Sequence, residues 1–151
     1  MRPLTEHDIR ASFVNCTKGE TRRLAVPRDL AERPWEDLDF FGWRETRERA
    51  YLVTETVGVA LRSTTARRGM CSLCLTTHDS DGVALMTARK AGPGGQRGNS
   101  VGAHICADLT CSLYLRGKRY AGRRVEESLT LAEKIDRTMA NLAAFLAKVT
   151  G

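Results

Sequence analysis

Two cysteine pairs, Cys71-Ser-Leu-Cys74 and Cys106-Ala-Asp-Leu-Thr-Cys111, decide the fold of this chain. Two residues between the first pair let both sulfurs turn toward one ion at a distance of about 2.3 Å. We expect Cys106 to end a strand and Asp108 to cap a helix, which puts Cys111 in the first helical turn, where the helix dipole favours a thiolate. A treble-clef zinc finger consists of a knuckle, here the turn at residues 71–74, followed by a hairpin and a helix that carries the last ligand.

Four thiolates complete a closed tetrahedron, so the predicted cofactor is one structural Zn²⁺ bound by Cys71, Cys74, Cys106 and Cys111. A thiol redox pair at Cys71 and Cys74, or four ordinary buried cysteines, are the alternatives. No thioredoxin-like βαβ pattern surrounds the first pair, which disfavours redox chemistry.

Three other side chains could act as ligands or reactive thiols. His78 follows the knuckle and His104 shares the strand face of Cys106, so either imidazole could replace a cysteine. Cys16 stands alone and is interpreted as a small buried hydrophobe on the apolar face of the first helix.

The strands are predicted from β-branched and alternating runs. Residues 51–61 indicate one strand or a hairpin, and residues 82–91 and 100–106 form a second hairpin around the glycine-rich residues 92–98. That loop is predicted to be flexible, and it lacks the Gly-Lys-Ser/Thr ending of a phosphate-binding loop.

Helices are predicted at both ends of the chain. Thr5 starts the first helix and Gly19 ends it, whereas residues 27–49 are expected to be a packed loop or short helical turns. The last helix starts at Thr130, with Glu133 completing a capping box, and its apolar face packs on the hairpin. That face is formed by Leu131, Ile135, Met139, Leu142, Leu146 and Val149.

The expected fold class is therefore α+β, a treble-clef zinc finger with a small antiparallel sheet flanked by N- and C-terminal helices. One domain is expected over residues 1–151, with an N-terminal helix and irregular segment (1–50), a zinc-finger core (51–124) and a packing helix (125–151). The first twenty residues are too charged for a signal peptide, and no uncharged run can span a bilayer. We therefore expect a cytoplasmic protein that binds neither a membrane nor a small molecule.

Lys and Arg number 24 against 18 Asp and Glu, a net charge of +6 that favours a polyanionic partner, although such a charge also serves solubility. Arg62 precedes the knuckle, and Tyr120 lies among the later basic residues as a possible stacking aromatic. Ten cations are candidates for a surface that binds nucleic acid or a protein partner: Arg67, Arg68, Arg89, Lys90, Arg97, Arg116, Lys118, Arg119, Arg123 and Arg124.

Two runs, MCSLCLTTH over residues 70–78 and GNSVGAHICADLTCSLY over residues 98–114, resemble the FusB-type fusidic acid resistance and elongation factor G binding proteins. The chain looks more like the actinobacterial stand-alone members of this treble-clef family. It departs from the resistance proteins in lacking room for their separate N-terminal helical bundle. The motifs lie within residues 51–124, and the similarity is expected to extend over most of the chain.

The resemblance implies zinc on the four cysteines and a finger that docks on elongation factor G, helping this factor leave the ribosome. The predicted function is a non-enzymatic zinc protein that binds elongation factor G or the ribosome. The alternative is an RNA-binding zinc finger that acts through its basic surface and contacts ribosomal RNA. A redox or metal-dependent enzyme is a third possibility, motivated only by the thiols.

Overall fold

The computed structural model describes residues 1–123 and 126–151, so the candidate Arg124 lies outside the described residues. The helices are α1 (Glu6–Ser12), α2 (Lys18–Arg23), α3 (Pro93–Gln96), α4 (Cys111–Leu115) and α5 (Leu131–Thr150). The strands are β1 (Phe41–Arg44), β2 (Arg49–Val53), β3 (Gly58–Ser63), β4 (Arg67–Met70), β5 (Thr77–Arg89) and β6 (Ser100–Cys106). Among the described residues, no helix is both long enough and apolar enough to cross a membrane.

The six strands form one antiparallel sheet organised by the 13-residue strand β5. Strands β3 and β4 pair in succession with one edge of β5, while β6 pairs with the other edge over Val83–Arg89. Strands β1 and β2 extend the sheet beyond β3. The predicted hairpin of β5 and β6 is confirmed, and the α+β class is confirmed with it. Of the two alternatives for residues 51–61, one strand or a hairpin, the structure has the hairpin, formed by β2 and β3.

The sheet separates two hydrophobic clusters, because successive side chains of a strand point to opposite faces. Along β2, Leu52 packs into a cluster that contains the four paired cysteines and Phe145 of α5, which we call the zinc-side cluster after the predicted ion. Its neighbour Tyr51 packs into the second cluster, together with Trp43 and other residues of the N-terminal segment. The metal ligands therefore lie on the side of α5, and the N-terminal segment covers the opposite face.

The first helix is shorter than the sequence predicts, and Gly19 does not end it. Helix α1 ends at Ser12, and a second capping box starts α2: the Thr17 side chain accepts from the Glu20 N–H, and the Glu20 side chain accepts from the Thr17 N–H. Gly19 lies inside α2, and Cys16 lies between the two helices rather than on an apolar helix face.

Residues 27–49 contain the expected short helical turns, at Leu30–Glu32 and Trp35–Asp37, but also the strand β1, which the sequence pattern does not predict. This strand belongs to a chain of aromatic rings. The Phe41 ring lies 5.0 Å from that of Trp35 and 5.4 Å from that of Trp43, which in turn lies 5.1 Å from the Tyr51 ring. Long-range ring packing, rather than a local repeat, selects the extended backbone here.

The glycine-rich residues 92–98, for which the sequence predicts a flexible loop, contain a helical turn. Pro93 starts the helical turn α3, and Gly95 approaches the backbone so closely that a Cβ there would lie 1.8 Å from the carbonyl oxygen of Lys90. The Ala91 N–H donates to the carbonyl oxygen of Val149 at 2.8 Å. These contacts fix the segment against the end of α5.

The last helix has the predicted start, since the Thr130 side chain accepts from the Glu133 N–H. Leu142, Phe145 and Val149 are buried against the zinc-side cluster, which confirms the core-packing interpretation. The predicted apolar face is wrong at its first member, since Leu131 is 44% exposed.

Candidate metal centre

The four paired cysteines meet where four elements end or begin. Cys71 follows β4, Cys74 lies in the tight turn before β5, Cys106 is the last residue of β6 and Cys111 is the first residue of α4. All four side chains are buried, and their sulfurs lie within 4.8 Å of one another. The chain thus brings together the four residues that sequence spacing selects.

The sulfur positions fit a zinc ion. A regular tetrahedron with Zn–S bonds of about 2.3 Å has S···S edges of about 3.8 Å. The Sγ atoms of Cys71 and Cys111 are 3.7 Å apart, and those of Cys74 and Cys106 are 3.5 Å apart. Four buried thiols without a carboxylate among them are the donor set of a structural zinc site, because such a set leaves no position for a reactive water.

The turn at the first pair is held by its own backbone. The Leu73 N–H donates to the Cys71 Sγ at 3.3 Å, the Leu75 N–H donates to the Cys71 carbonyl oxygen, and the Ser72 N–H donates to the His104 carbonyl oxygen on β6. Leu75 and Leu109 each have a φ of 60°, a left-handed conformation that costs a non-glycine residue about 1–2 kcal/mol. Both strained residues lie within three positions of a ligand, so the strain accompanies the sharp turns that aim the sulfurs.

The thiols cannot all ionise without a cation between them. Hydrogen bonds from Cys106, Cys111 and Cys74 lower the pKa of the Cys71 thiol. Hydrogen bonds with Cys106, Cys71 and Cys74 raise the pKa of Cys111 well above its usual value. Ionisation of one thiol therefore makes ionisation of its neighbours less favourable. A divalent ion bound between the sulfurs offsets this repulsion, because it favours the thiolate form of all four.

His78 is a neighbour of the ligands rather than one of the four. Its Nε2 lies 3.3 Å from the Cys106 Sγ, and its buried ring meets the Tyr114 ring edge-on at 4.8 Å. His104 does not belong to the cluster, because its Nε2 contacts the Arg67 guanidinium at 3.0 Å. The sequence indicates His78 only as a possible replacement ligand, and no local pattern predicts its contact with Cys106, which faces Val83 in the β5–β6 register.

Asp108 is not the helix N-cap that the sequence predicts, because Thr110 precedes the helix and Asp108 lies two residues earlier. Its carboxylate instead accepts from the Thr110 N–H at 3.1 Å, from the Tyr114 hydroxyl at 2.7 Å and from the Arg119 guanidinium at 2.9 Å. The Asp108 side chain therefore ties the loop between the second pair of ligands to the helix that follows.

Four of the basic residues that follow α4 have acidic partners. Arg116 donates two hydrogen bonds to the Asp39 carboxylate, at 2.8 and 3.0 Å, and both side chains are largely buried. The remaining pairs are Lys118 with Asp37, Arg119 with Asp108 at 2.9 Å, and Arg123 with Asp79 at 3.3 Å. Much of the positive charge that the sequence displays here is thus compensated within the chain.

The other candidate cations fall into two separate groups. Arg67 and Arg68 lie on β4 beside the knuckle, next to Met70, which is 55% exposed. Arg89, Lys90 and Arg97 lie at the far end of β5 and around α3. Because Arg67 pairs with Val83, six residues before Arg89 on one strand, about 20 Å separates the two groups.

The comparison with known protein families supports the architecture. Residues 8–149 match the model of the family described as FBP C-terminal treble-clef zinc-finger. This match covers the four cysteines, the whole sheet and nearly all of the N-terminal segment, so the expected similarity over most of the chain is confirmed. No curated protein matches the chain.

Proposed function

Because this chain belongs to the FBP C-terminal treble-clef zinc-finger family, we propose that it is a non-enzymatic zinc protein that binds elongation factor G and modulates translation beside the ribosome. The observation that carries the proposal is the closed set of four buried thiols, which supplies a scaffold and no reactive position. In residues 1–123 and 126–151, no second group of three metal-binding side chains accompanies it. The proposed role requires a cytoplasmic protein.

The proposed docking surface is Arg67, Arg68 and Met70 on β4, which we call the β4 surface. All three side chains are exposed, and in the described part of the chain no carboxylate pairs with either arginine. Met70 immediately precedes the ligand Cys71, so zinc binding fixes the position of this surface. An exposed methionine next to two arginines suits an acidic protein surface with a shallow apolar depression.

The shape of β4 supports a protein partner. β4 is a four-residue edge strand that pairs only with β5 among the described strands, and its register with β5 shifts between Arg67 and Gly69. Short, bulged and charged edge strands resist pairing with further strands. The β4 surface therefore offers side chains, rather than a free backbone edge, for recognition.

A direct experiment is titration calorimetry of the zinc-loaded protein with purified elongation factor G. We expect saturable binding, and charge reversal by Arg67→Glu with Arg68→Glu should weaken it by tenfold or more. Arg28→Glu is the matched control, because Arg28 is exposed and lies in the N-terminal segment. Absence of binding at about 50 µM would contradict the proposed partner.

The alternative function is an RNA-binding module. Lys90 and Arg97 favour it, since both lack an acidic partner among the described residues. The ion pairs of Arg116, Lys118, Arg119 and Arg123 weigh against it, because a paired cation binds phosphate less strongly. Affinity capture from lysate with and without nuclease separates the two: an RNA partner is lost with nuclease, and its affinity falls steeply with salt.

A further inference from the structure

A second concave site lies on the sheet face opposite the cysteines. It has a volume of about 600 Å³ and is enclosed by the link between α1 and α2 on one side and by strands β2, β3 and β5 on the other. Four arginines line it: Arg23, Arg49, Arg62 and Arg89. We call it the arginine cleft, and neither the zinc site nor the proposed docking surface uses it.

Two of these arginines are placed against each other. Arg49 on β2 and Arg62 on β3 are directly opposite in the antiparallel register, so their side chains leave the same face of the sheet about 5 Å apart. Like charges in this position are destabilising. Within residues 1–123 and 126–151, no carboxylate forms an ion pair with Arg23, Arg49 or Arg62.

The two acidic residues of the cleft have other partners. Glu20 accepts from Arg89 at 3.0 Å and from the Thr17 N–H, whereas Glu45 accepts from the Tyr51 hydroxyl at 2.6 Å and from the Ala25 N–H. Four arginines against two glutamates leave a net charge of 4 − 2 = +2 around one concavity.

The wall of the cleft is fixed before any ligand arrives. The Asn15 side chain, 6% exposed, donates to the carbonyl oxygens of Ala60 and Arg89, each at 3.0 Å, and accepts from the Ala60 N–H at 2.8 Å. The Arg89 guanidinium donates back to the Asn15 carbonyl oxygen at 2.9 Å. The α1–α2 link is thereby held against β3 and β5, so the arginines face a wall of defined geometry.

From this arrangement we propose that the arginine cleft binds the phosphate group of a small phosphorylated molecule, held between Arg49 and Arg62. A guanidinium presents paired N–H donors that match phosphate oxygens, and two such groups on adjacent strands can hold one tetrahedral anion from two sides. The bound anion compensates the repulsion that the cross-strand pair otherwise contributes. The volume lies within the usual range for small-ligand sites.

The test is titration of the zinc-loaded protein with inorganic phosphate and with pyrophosphate at constant ionic strength, followed by NMR shifts of the β2 and β3 amides. We expect saturable binding, weakened tenfold or more by Arg49→Gln and by Arg62→Gln. Arg22→Gln is the control, because Arg22 is exposed on α2 and does not line the cleft. Absence of saturation at about 10 mM ligand, or equal binding by all variants, would overturn the proposal.

Thermal unfolding gives an independent readout. In phosphate-free buffer Arg62→Gln should melt at a higher temperature than the parent, because it removes the like-charge contact. Phosphate should raise the melting temperatures of the parent and of Arg22→Gln more than that of Arg62→Gln. A variant that melts lower without phosphate would contradict this. A short single-stranded RNA that displaces pyrophosphate with tenfold higher affinity would assign the cleft to nucleic acid and overturn the small-molecule proposal.

Discussion

The Nε2 atom of His78 lies 3.3 Å from the Sγ of Cys106, and the imidazole is buried between that sulfur and the edge of the Tyr114 ring. A ring N–H in this position donates to a metal-bound thiolate, which lowers the negative charge that four sulfurs place on one ion. Neighbours of this kind orient ligands without coordinating the metal themselves.

We therefore expect His78→Ala to weaken zinc binding by about tenfold to a hundredfold. His78→Gln, which keeps an N–H donor, should recover part of the loss. Competition with a chromophoric chelator measures the affinity, and His7→Ala serves as the control because His7 is exposed on α1. Equal zinc affinity in all three variants would show that the contact is packing only.

Gly82 makes room for the same imidazole. A Cβ at this position would lie 2.0 Å from the His78 Nδ1, so Gly82→Ala should displace the ring and lower zinc affinity much as His78→Ala does. The double variant Gly82→Ala with His78→Ala should bind zinc only slightly more weakly than His78→Ala alone, because the effects of substitutions at contacting residues are not additive. Gly94→Ala is the control, because its nearest contact would be 3.8 Å. Additive losses would refute the shared cause.

Removal of zinc should unfold the finger, because metal binding to four buried thiols is coupled to folding. Elemental analysis should find one zinc per chain, and either a chelator or Cys106→Ser should abolish the cooperative thermal transition of the zinc-side cluster. Cys16→Ser should keep the zinc, since Cys16 lies outside the cluster. An unchanged melting temperature in Cys106→Ser would contradict a structural metal.

The ion pair between Asp39 and Arg116 should contribute to stability in a pH-dependent way. Burial alone raises the pKa of Asp39, but hydrogen bonds from Arg116 and Ser112 outweigh it and hold this pKa below its ordinary value of 3.8. A depressed carboxyl pKa gives stability that is fully present above about pH 5 and is lost as the pH falls through and below 4.

Asp39→Asn should therefore cost about 3 kcal/mol of unfolding free energy at pH 7, because it leaves a largely buried guanidinium unpaired, and should flatten the acid side of the stability profile. Urea unfolding between pH 3 and pH 7 measures both effects. Asp29→Asn, which breaks an exposed pair with Arg33, should change the free energy by less than about 1 kcal/mol. Parallel pH profiles for Asp39→Asn and the parent would exclude the proposed linkage.

Cys16 should react slowly with alkylating agents. Burial, followed by the nearby Glu20 carboxylate, raises the pKa of this thiol to about 11. At pH 8 its thiolate fraction is then about a hundredfold below that of a thiol with a pKa of 9, and the rate should rise about tenfold per pH unit up to pH 11. Mass spectrometry of the iodoacetamide-treated, zinc-loaded protein measures this rate, with a cysteine-containing peptide as the reference. Reaction at the peptide's rate would contradict the raised pKa.

Local spacing was enough to identify the metal ligands, the hairpin of β5 and β6, and the start of α5. Each depends on residues close in sequence, such as the capping box of Thr130 and Glu133, or on the fixed chemistry of paired cysteines. The break between α1 and α2 is not predicted, because Cys16 continues the apolar spacing of the first helix. In the structure a second capping box at Thr17 starts a new helix instead.

The charge distribution depends on contacts that no local pattern contains. Asp39 and Arg116 are 77 positions apart, so the sequence alone does not show that the basic run after α4 is partly neutralised. The reverse holds for Arg49 and Arg62, which are unremarkable in the sequence and become a repulsive pair only through the register of β2 and β3.

Both tryptophans of the chain, Trp35 and Trp43, lie in the cluster on the face opposite the cysteines. Their fluorescence therefore reports on the N-terminal segment, whereas the absorption of Co²⁺ exchanged for zinc would report on the thiolates. The molecule thus carries two separate optical signals, one on each side of a single sheet. Recording both during one unfolding experiment would reveal whether loss of metal spreads across the strands or leaves the aromatic side folded.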